Sequence, residues 1–338
     1  MRSKKILIAI VAISLLSGCS SVSSTFKSVT PKPVERNILS GREGLNGPVL
    51  VVKIDDTNAA HPQIGLEDAD VVYIEQVEGG LTRLAAVFSS VIPMRIGPVR
   101  SARISDIEIM SQYGKVAFAY SGAQKKLLPV IDAANLVNLG AQAQSPTIYT
   151  RDPARNAPYS MVLRADLLMQ RIIEKGYAVD AAKSVGWKFA PVDSNGVAIS
   201  LVVMHWPAAT YSAVWSEVEK RWLLSHNNEP DLSETGKRLG PTTLVVQMVS
   251  ITASEYGDKF GGVTPFSNTV GEGTGYVLRD GKSYTATWSR PSSELGTTWS
   301  ALDGTELTFA PGQVWVALTD QEPDFTLIPV SASASPTK

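Results

Sequence analysis

The sequence has one cysteine, three histidines and almost no net charge, and each scarcity removes a class of protein. With Cys19 alone, the chain has no internal disulfide and no thiolate metal centre. His61, His205 and His226 are widely separated and lack the spacing of a zinc motif, so each reads as a satisfied or surface histidine. Lysine plus arginine number 31 against 32 aspartates plus glutamates. That balance supplies no basic field for counterion release, and no nucleic-acid partner is expected. Beyond the first twenty residues, no apolar run approaches the roughly 20 residues that span a bilayer. No cofactor motif stands out: Gly271 to Gly275 is glycine-rich but lacks G-x-G-x-x-G spacing and leads into a strand.

What the chain does have begins at its N-terminus. Arg2, Lys4 and Lys5 precede an apolar run from Ile6 to Leu16, the pattern of a signal-peptide n-region and h-region. The run ends in Leu16-Ser17-Gly18-Cys19, the form of a bacterial lipobox, so Cys19 is expected to be acylated, palmitate included. That would place the protein on the outer face of the cytoplasmic membrane, with membrane lipid as its first partner. The alternative is an ordinary secretory signal or an uncleaved anchor, which leaves the position of the one cysteine unexplained.

The body reads as α+β: a mixed α/β N-terminal domain followed by a mostly antiparallel β domain. The expected organisation is a signal peptide at 1–19, a flexible tether at 20–45, an N-terminal domain at 46–193, a C-terminal domain at 194–328 and a disordered tail at 329–338. Val49 to Ile54 suits a buried strand, and Asp70–Glu75 and Leu81–Phe88 suit a hairpin around Gly79-Gly80. Ser105 and Glu108 sit three apart before an apolar stretch, which predicts a capping box and a helix start. Ala165, Leu168, Met169, Ile172 and Ile173 predict a second helix ending at Gly176. After that come short β-prone runs, with turns at Asp280-Gly281 and Asp303-Gly304. All seven tryptophans lie at or beyond Trp187, as expected of an aromatic core in that sheet.

Chemistry concentrates between Glu75 and Asp106. Arg83, Arg100 and Arg103, with Ser101 and Ser105 beside the helix start, form a candidate site for phosphate, pyrophosphate or carboxylate; Glu75, Glu78 and Asp106 are its supporting acids. The competing reading is a closed salt-bridge network, with Glu75 and Arg83 as a cross-strand pair. No catalytic residue is assigned. No metal site is assigned either: Asp55 and Asp56 could hold a hard cation, but capping the turn after the first strand suits them better.

These residues carry a family likeness. Val52-Lys53-Ile54-Asp55, His61-Pro62-Gln63, Ala69 to Tyr73, Val77 to Arg83 and Ile96 to Arg103 resemble the YerB-like lipoproteins. So do Gly273 to Tyr276, Asp280-Gly281-Lys282 and Pro311 to Trp315 in the second half. The resemblance spans roughly residues 45–320 and implies an N-terminal and a C-terminal domain of unknown function. A looser likeness of element order links Ala69 to Arg103 with the LytR-CpsA-Psr transferases, without matching residues. Two functions follow as expectations. One is a non-enzymatic envelope lipoprotein binding an anionic cell-wall precursor or an envelope protein through the arginines. The other is an enzyme of phosphoryl or glycopolymer transfer, which lacks a visible nucleophile–base pair.

Overall fold

The apolar run at Val49 forms β1 (Leu50–Asp55), whose six residues are all buried. The alternation of its side chains explains why: Leu50, Val52 and Ile54 enter the core on one face of the sheet, while Val49 and Val51 enter the core on the other. β2 (Val71–Gln76) and β3 (Thr82–Phe88) make the expected hairpin, with Gly79 and Gly80 at φ 70° and 73° in its connection. The computed structural model describes residues 34–190, 196–258 and 261–328. The signal segment, Cys19, the first part of the tether and the tail at 329–338 lie outside the described residues.

From β3 the chain continues through β4 (Arg95–Ile96), α1 (Ile104–Ser111), β5 (Val116–Ala119), α2 (Leu128–Ala133) and β6 (Leu136–Asn138). β7 (Tyr149–Arg151) and β8 (Met161–Arg164) lead into α3 (Ala165–Lys175). α3 ends at Gly176 in the left-handed conformation, as its sequence predicts. It buries Ala165, Leu168 and Ile172, whereas Ile173 is 79% exposed and lies off the packed face.

The second half is a succession of strands. β9 (Val197–Trp206), β10 (Ala209–Ser216), β11 (Arg221–His226) and β12 (Glu229–Pro230) form an antiparallel meander. β13 (Thr243–Met248), β14 (Ile251–Gly257), β15 (Val263–Ser267), β16 (Gly271–Arg279) and β17 (Lys282–Arg290) follow. β18 (Thr298–Ala301), β19 (Val314–Thr319) and β20 (Asp324–Leu327) complete the chain. Asp280 and Gly281, at φ 52° and 72°, make the tight β16–β17 turn.

The molecule is mostly β, with a large mixed sheet and three α-helices among the described residues. One path of strands runs β12-β11-β10-β9-β17-β16-β13-β19-β2-β3-β1-β5-β6. β19 comes from near the end of the chain yet lies between β13 and β2, parallel to both. The sheet therefore passes without a break from strands before residue 193 to strands after it. Six of the seven tryptophans are core residues and share clusters with the first half: Trp206, Trp222 and Trp315 with Val52 and Phe88, and Trp187, Trp288 and Trp299 with Val51 and Val87; Trp215 is half-buried against the core.

Residues 36–45, read from sequence as the end of the tether, belong to this body. Leu39 is fully buried, Ser40 Oγ donates to Asp70 at 2.7 Å, and the Asn37 amide donates to the Leu45 carbonyl at 2.7 Å. No helix among the described residues is long and apolar enough to cross a membrane.

Candidate functional site

Backbone pairing puts the arginines in place. The Arg100 N–H donates to the Lys53 carbonyl on β1; on the other side, in the loop after β5, the Ser121 N–H donates to the Arg100 carbonyl and the Gly122 carbonyl accepts the Ala102 N–H. Arg100 to Arg103 thus runs as an extended strap between two fixed edges before α1 begins. The N-cap of α1 is Arg103, two residues before the predicted Ser105, and Asp106 Oδ2 accepts the Arg103 N–H at 2.7 Å. Ser105 and Glu108, the predicted capping pair, bind other partners. Ser105 Oγ accepts the Ser267 N–H, and Glu108 accepts the N–H groups of Thr269 and Val270. Buried and spoken for, Ser105 is not an available ligand donor.

A cleft of about 550 Å³ opens here, lined by Arg83, Arg100, Ser101, Arg103, Lys125 and Glu78, together with Tyr256, Asp258 and Thr264 of the β14–β15 hairpin. Arg103 donates through Nε and Nη2 to Glu78 Oε2 at 2.9 and 2.6 Å, and Thr264 donates to the other Glu78 oxygen. Burial opposes the Glu78 charge, but the Arg103 hydrogen bonds outweigh it and hold its pKa below the usual range. Arg100 Nε sits 2.5 Å from Asp55 Oδ2, close enough for an ion pair although poorly aligned for a hydrogen bond. Asp55 also accepts the Thr57 N–H and hydroxyl, the turn cap expected of it.

Arg83 differs. It stands opposite Glu75 in the β2–β3 ladder, but the predicted ion pair does not form. Its guanidinium donates to the Ser101 carbonyl at 3.0 Å, and no carboxylate lies within 4 Å of it among the described residues. Burial and the neighbouring charges of Arg103 and Arg100 bring its pKa down to about 10, so it stays cationic at neutral pH.

Glu75 pairs with Lys53 instead, which also binds Asp106 Oδ1 at 2.8 Å. All three side chains are fully buried. Burial and the Asp106 carboxylate raise the Glu75 pKa to about 7 against the pull of Lys53. Of the three acids expected to support the arginines, only Glu78 faces the cleft; Glu75 and Asp106 belong to this closed triad. Sequence reading passed over Lys53, although a lysine inside Val51-Val52-Lys53-Ile54 demands a buried counter-charge. It also passed over Lys125, which only the fold brings to the cleft.

His61 is hydrogen-bonded and His205 lies at the surface, as expected, but His61 and His226, far apart in sequence, meet in the fold. His61 and His226 stack with ring centroids 4.7 Å apart and planes 7° from parallel. Both rings face Asp56, which accepts hydrogen bonds from Tyr211 at 2.7 Å and Thr82 at 2.5 Å. Asp56 is thus the centre of a buried network, not a turn cap. Burial opposes the charge on His61, and hydrogen bonds to Asp231 and Asp56 outweigh it, holding its pKa up at about 10. His205 is separate, paired with Asp324 at the surface.

Comparison with known proteins places these features in a family. Residues 39–178 match the N-terminal domain of the protein family of unknown function DUF3048, and residues 201–316 match its C-terminal domain. YerB of Bacillus subtilis, whose name marks it as a lipoprotein candidate, is 23% identical over 273 residues, covering 80% of each chain. The crystal structure of Bacillus subtilis YerB superposes with a TM-score of 0.74 at 18% identity, covering 86% of this chain and 99% of that one, which establishes a shared fold. With both domains matched in order, the chain belongs to the YerB-like family built from the two DUF3048 domains.

Proposed function

We propose that the protein is a lipoprotein anchored through Cys19 to the outer face of the cytoplasmic membrane, and that its arginine cleft binds an anionic ligand of the cell envelope. The observation that carries the second part is Arg83, a buried guanidinium without a carboxylate partner among the described residues, facing a cleft that Arg100, Arg103 and Lys125 also line. Arginine keeps its proton, so the unbalanced charge awaits an external anion. Planar, two-pronged donors suit phosphate, pyrophosphate or carboxylate oxygens. Of these, a phosphorylated or pyrophosphorylated cell-wall precursor fits best, because it would bring its anion to the same membrane surface. The lipobox and the name given to the Bacillus subtilis relative support the anchor.

The transferase reading has less behind it. Of the carboxylates at or beside the cleft, Asp55 and Glu78 are held in ion pairs, and Asp258 accepts the Gly262 N–H.

Two measurements test the proposal. Cys19→Ala should leave the body folded and abolish fatty-acid labelling; continued acylation would refute the anchor. Pyrophosphate or a polyprenyl phosphate should raise the melting temperature of the protein, since a ligand that binds only the native state stabilises it by mass action. Arg83→Gln should remove that response. A wild-type protein indifferent to both ligands would refute the cleft assignment.

A further inference from the structure

The cluster around Asp56 is remote in chemistry from the arginine cleft and has its own unmet bonding capacity. His226 is 4% exposed, and its Nε2 is buried without a hydrogen-bond partner among the described residues. Asp231 Oδ2 and Gln63 Oε1, in the same cluster, are likewise buried and have no hydrogen-bond partner among the described residues. Native interiors rarely leave such atoms unmatched, and several in one place call for a water or an ion. His226 Nε2 lies 3.9 Å from Asp56 Oδ2, and His61 Nε2 lies 3.4 Å from Asp56 Oδ1. One ligand atom from each of the three residues falls within 4.8 Å of the others.

We propose that Asp56, His61 and His226 form a binding site for a divalent transition-metal ion, with zinc as the ion the donor set fits best. Tetrahedral zinc holds nitrogen and oxygen ligands at about 2.0–2.2 Å, which separates neighbouring donors by roughly 3.3–3.5 Å. The His61–Asp56 spacing already meets this, and the stacked rings need only tilt together to bring His226 in. Two imidazoles and a carboxylate favour zinc over calcium or magnesium, which take oxygen donors.

The surroundings match those of a metal ligand. Asp231 Oδ1 lies 3.1 Å from His61 Nδ1, the second carboxylate that orients a metal-bound imidazole. Tyr211 and Thr82 fix the Asp56 carboxylate from behind. Access is through His61, which is 17% exposed and opens onto a shallow depression with Pro62, Pro230, Leu232 and Ser233. Three protein ligands leave a fourth position for water or an added donor. Metal binding would displace the proton that His61 otherwise holds between the two aspartates.

The test uses the full-length chain purified in detergent, stripped with chelator and then dialysed against a slight excess of zinc. One retained zinc per chain, a raised melting temperature and, with cobalt in its place, the visible absorption of tetrahedral cobalt are the expected results. His226→Gln should abolish all three while leaving the far-ultraviolet circular dichroism unchanged. Asp231→Asn, which touches no metal directly, should weaken zinc affinity ten- to a hundredfold and serves if the first variant does not fold. The proposal is overturned if the wild-type chain retains neither zinc nor cobalt and its melting temperature does not move. Undiminished retention in His226→Gln and Asp231→Asn would overturn it equally.

Discussion

Two charged clusters share β1 and the start of α1, and they treat an unbalanced charge in opposite ways. In the closed triad, Lys53 faces Glu75 and Asp106, leaving one carboxylate in excess with no exposure to water. In the open cleft, Arg83, Arg100, Arg103 and Lys125 stand against Asp55, Glu78 and Asp258, leaving one positive charge in excess, and Arg83 has no carboxylate within ion-pair distance among the described residues. A buried carboxylate can discharge its excess by taking up a proton, and the raised pKa of Glu75 does so at little cost near neutrality. A guanidinium has no such exit at physiological pH. The surplus of the triad is settled inside the protein, whereas that of the cleft stays available to a partner.

The largest expected effect falls on the closed side. Lys53→Met strands two buried acids and should cost about 3–5 kcal/mol, read from denaturant unfolding at pH 7. Lowering the pH should recover part of that loss by protonating the acids, and a variant equally unstable at pH 5 would contradict the triad.

The proton on Glu75 gives a second test. Its folded pKa of about 7 lies above the ordinary value of 4.5. The unfolded chain therefore ionises first as pH rises, and this group lowers stability between those values, by up to about 1.4 kcal/mol per pH unit. Below 4.5 and above 7 its contribution is flat. Comparing melting curves of wild type and Glu75→Gln across that window should show the slope vanish in the variant.

Smaller changes belong to the cleft. Arg103→Ala removes two charge-assisted hydrogen bonds to Glu78 and should cost about 1.5–3 kcal/mol, with Thr264 still holding the carboxylate. Smallest of all should be Arg83→Met. It loses one bond to a carbonyl but relieves repulsion from Arg100 and Arg103, and stability should stay within about 1 kcal/mol of wild type. A drop as large as that of Lys53→Met would show that Arg83 is structural and erase the contrast.

Local signals in the sequence carried over well. The Gly79-Gly80 hairpin, its register placing Glu75 opposite Arg83, the αL stop at Gly176 and the Asp280-Gly281 turn all follow from short-range backbone rules. Competition among partners did not carry over. Glu75 had a register neighbour in Arg83, yet Lys53 on β1, reaching across the intervening β3, offers a fully desolvated contact, and no pairwise rule ranks the two. The helix start moved: Asp106 caps the Arg103 N–H, while Ser105 and Glu108 are taken up by Ser267, Thr269 and Val270 from distant parts of the chain. The histidine cluster was invisible, since its members lie on β11 and in the loop after β1 and meet only through the folded sheet. Nothing local in Val314 to Thr319 announces that it belongs beside β2.

That last strand sets a rule for the order in which the molecule can be made. A chain emerges N-terminus first, so β1, β2, β3 and β5 exist long before residues 314–319. Until those residues arrive, β2 presents one side of its backbone unpaired, in a strand that is buried on both faces in the finished protein. Such an edge invites pairing with other chains. The first half can thus reach its final form only when nearly the whole polypeptide has been synthesised. A truncation ahead of Val314 should yield an aggregation-prone product even though every residue of the cleft is present.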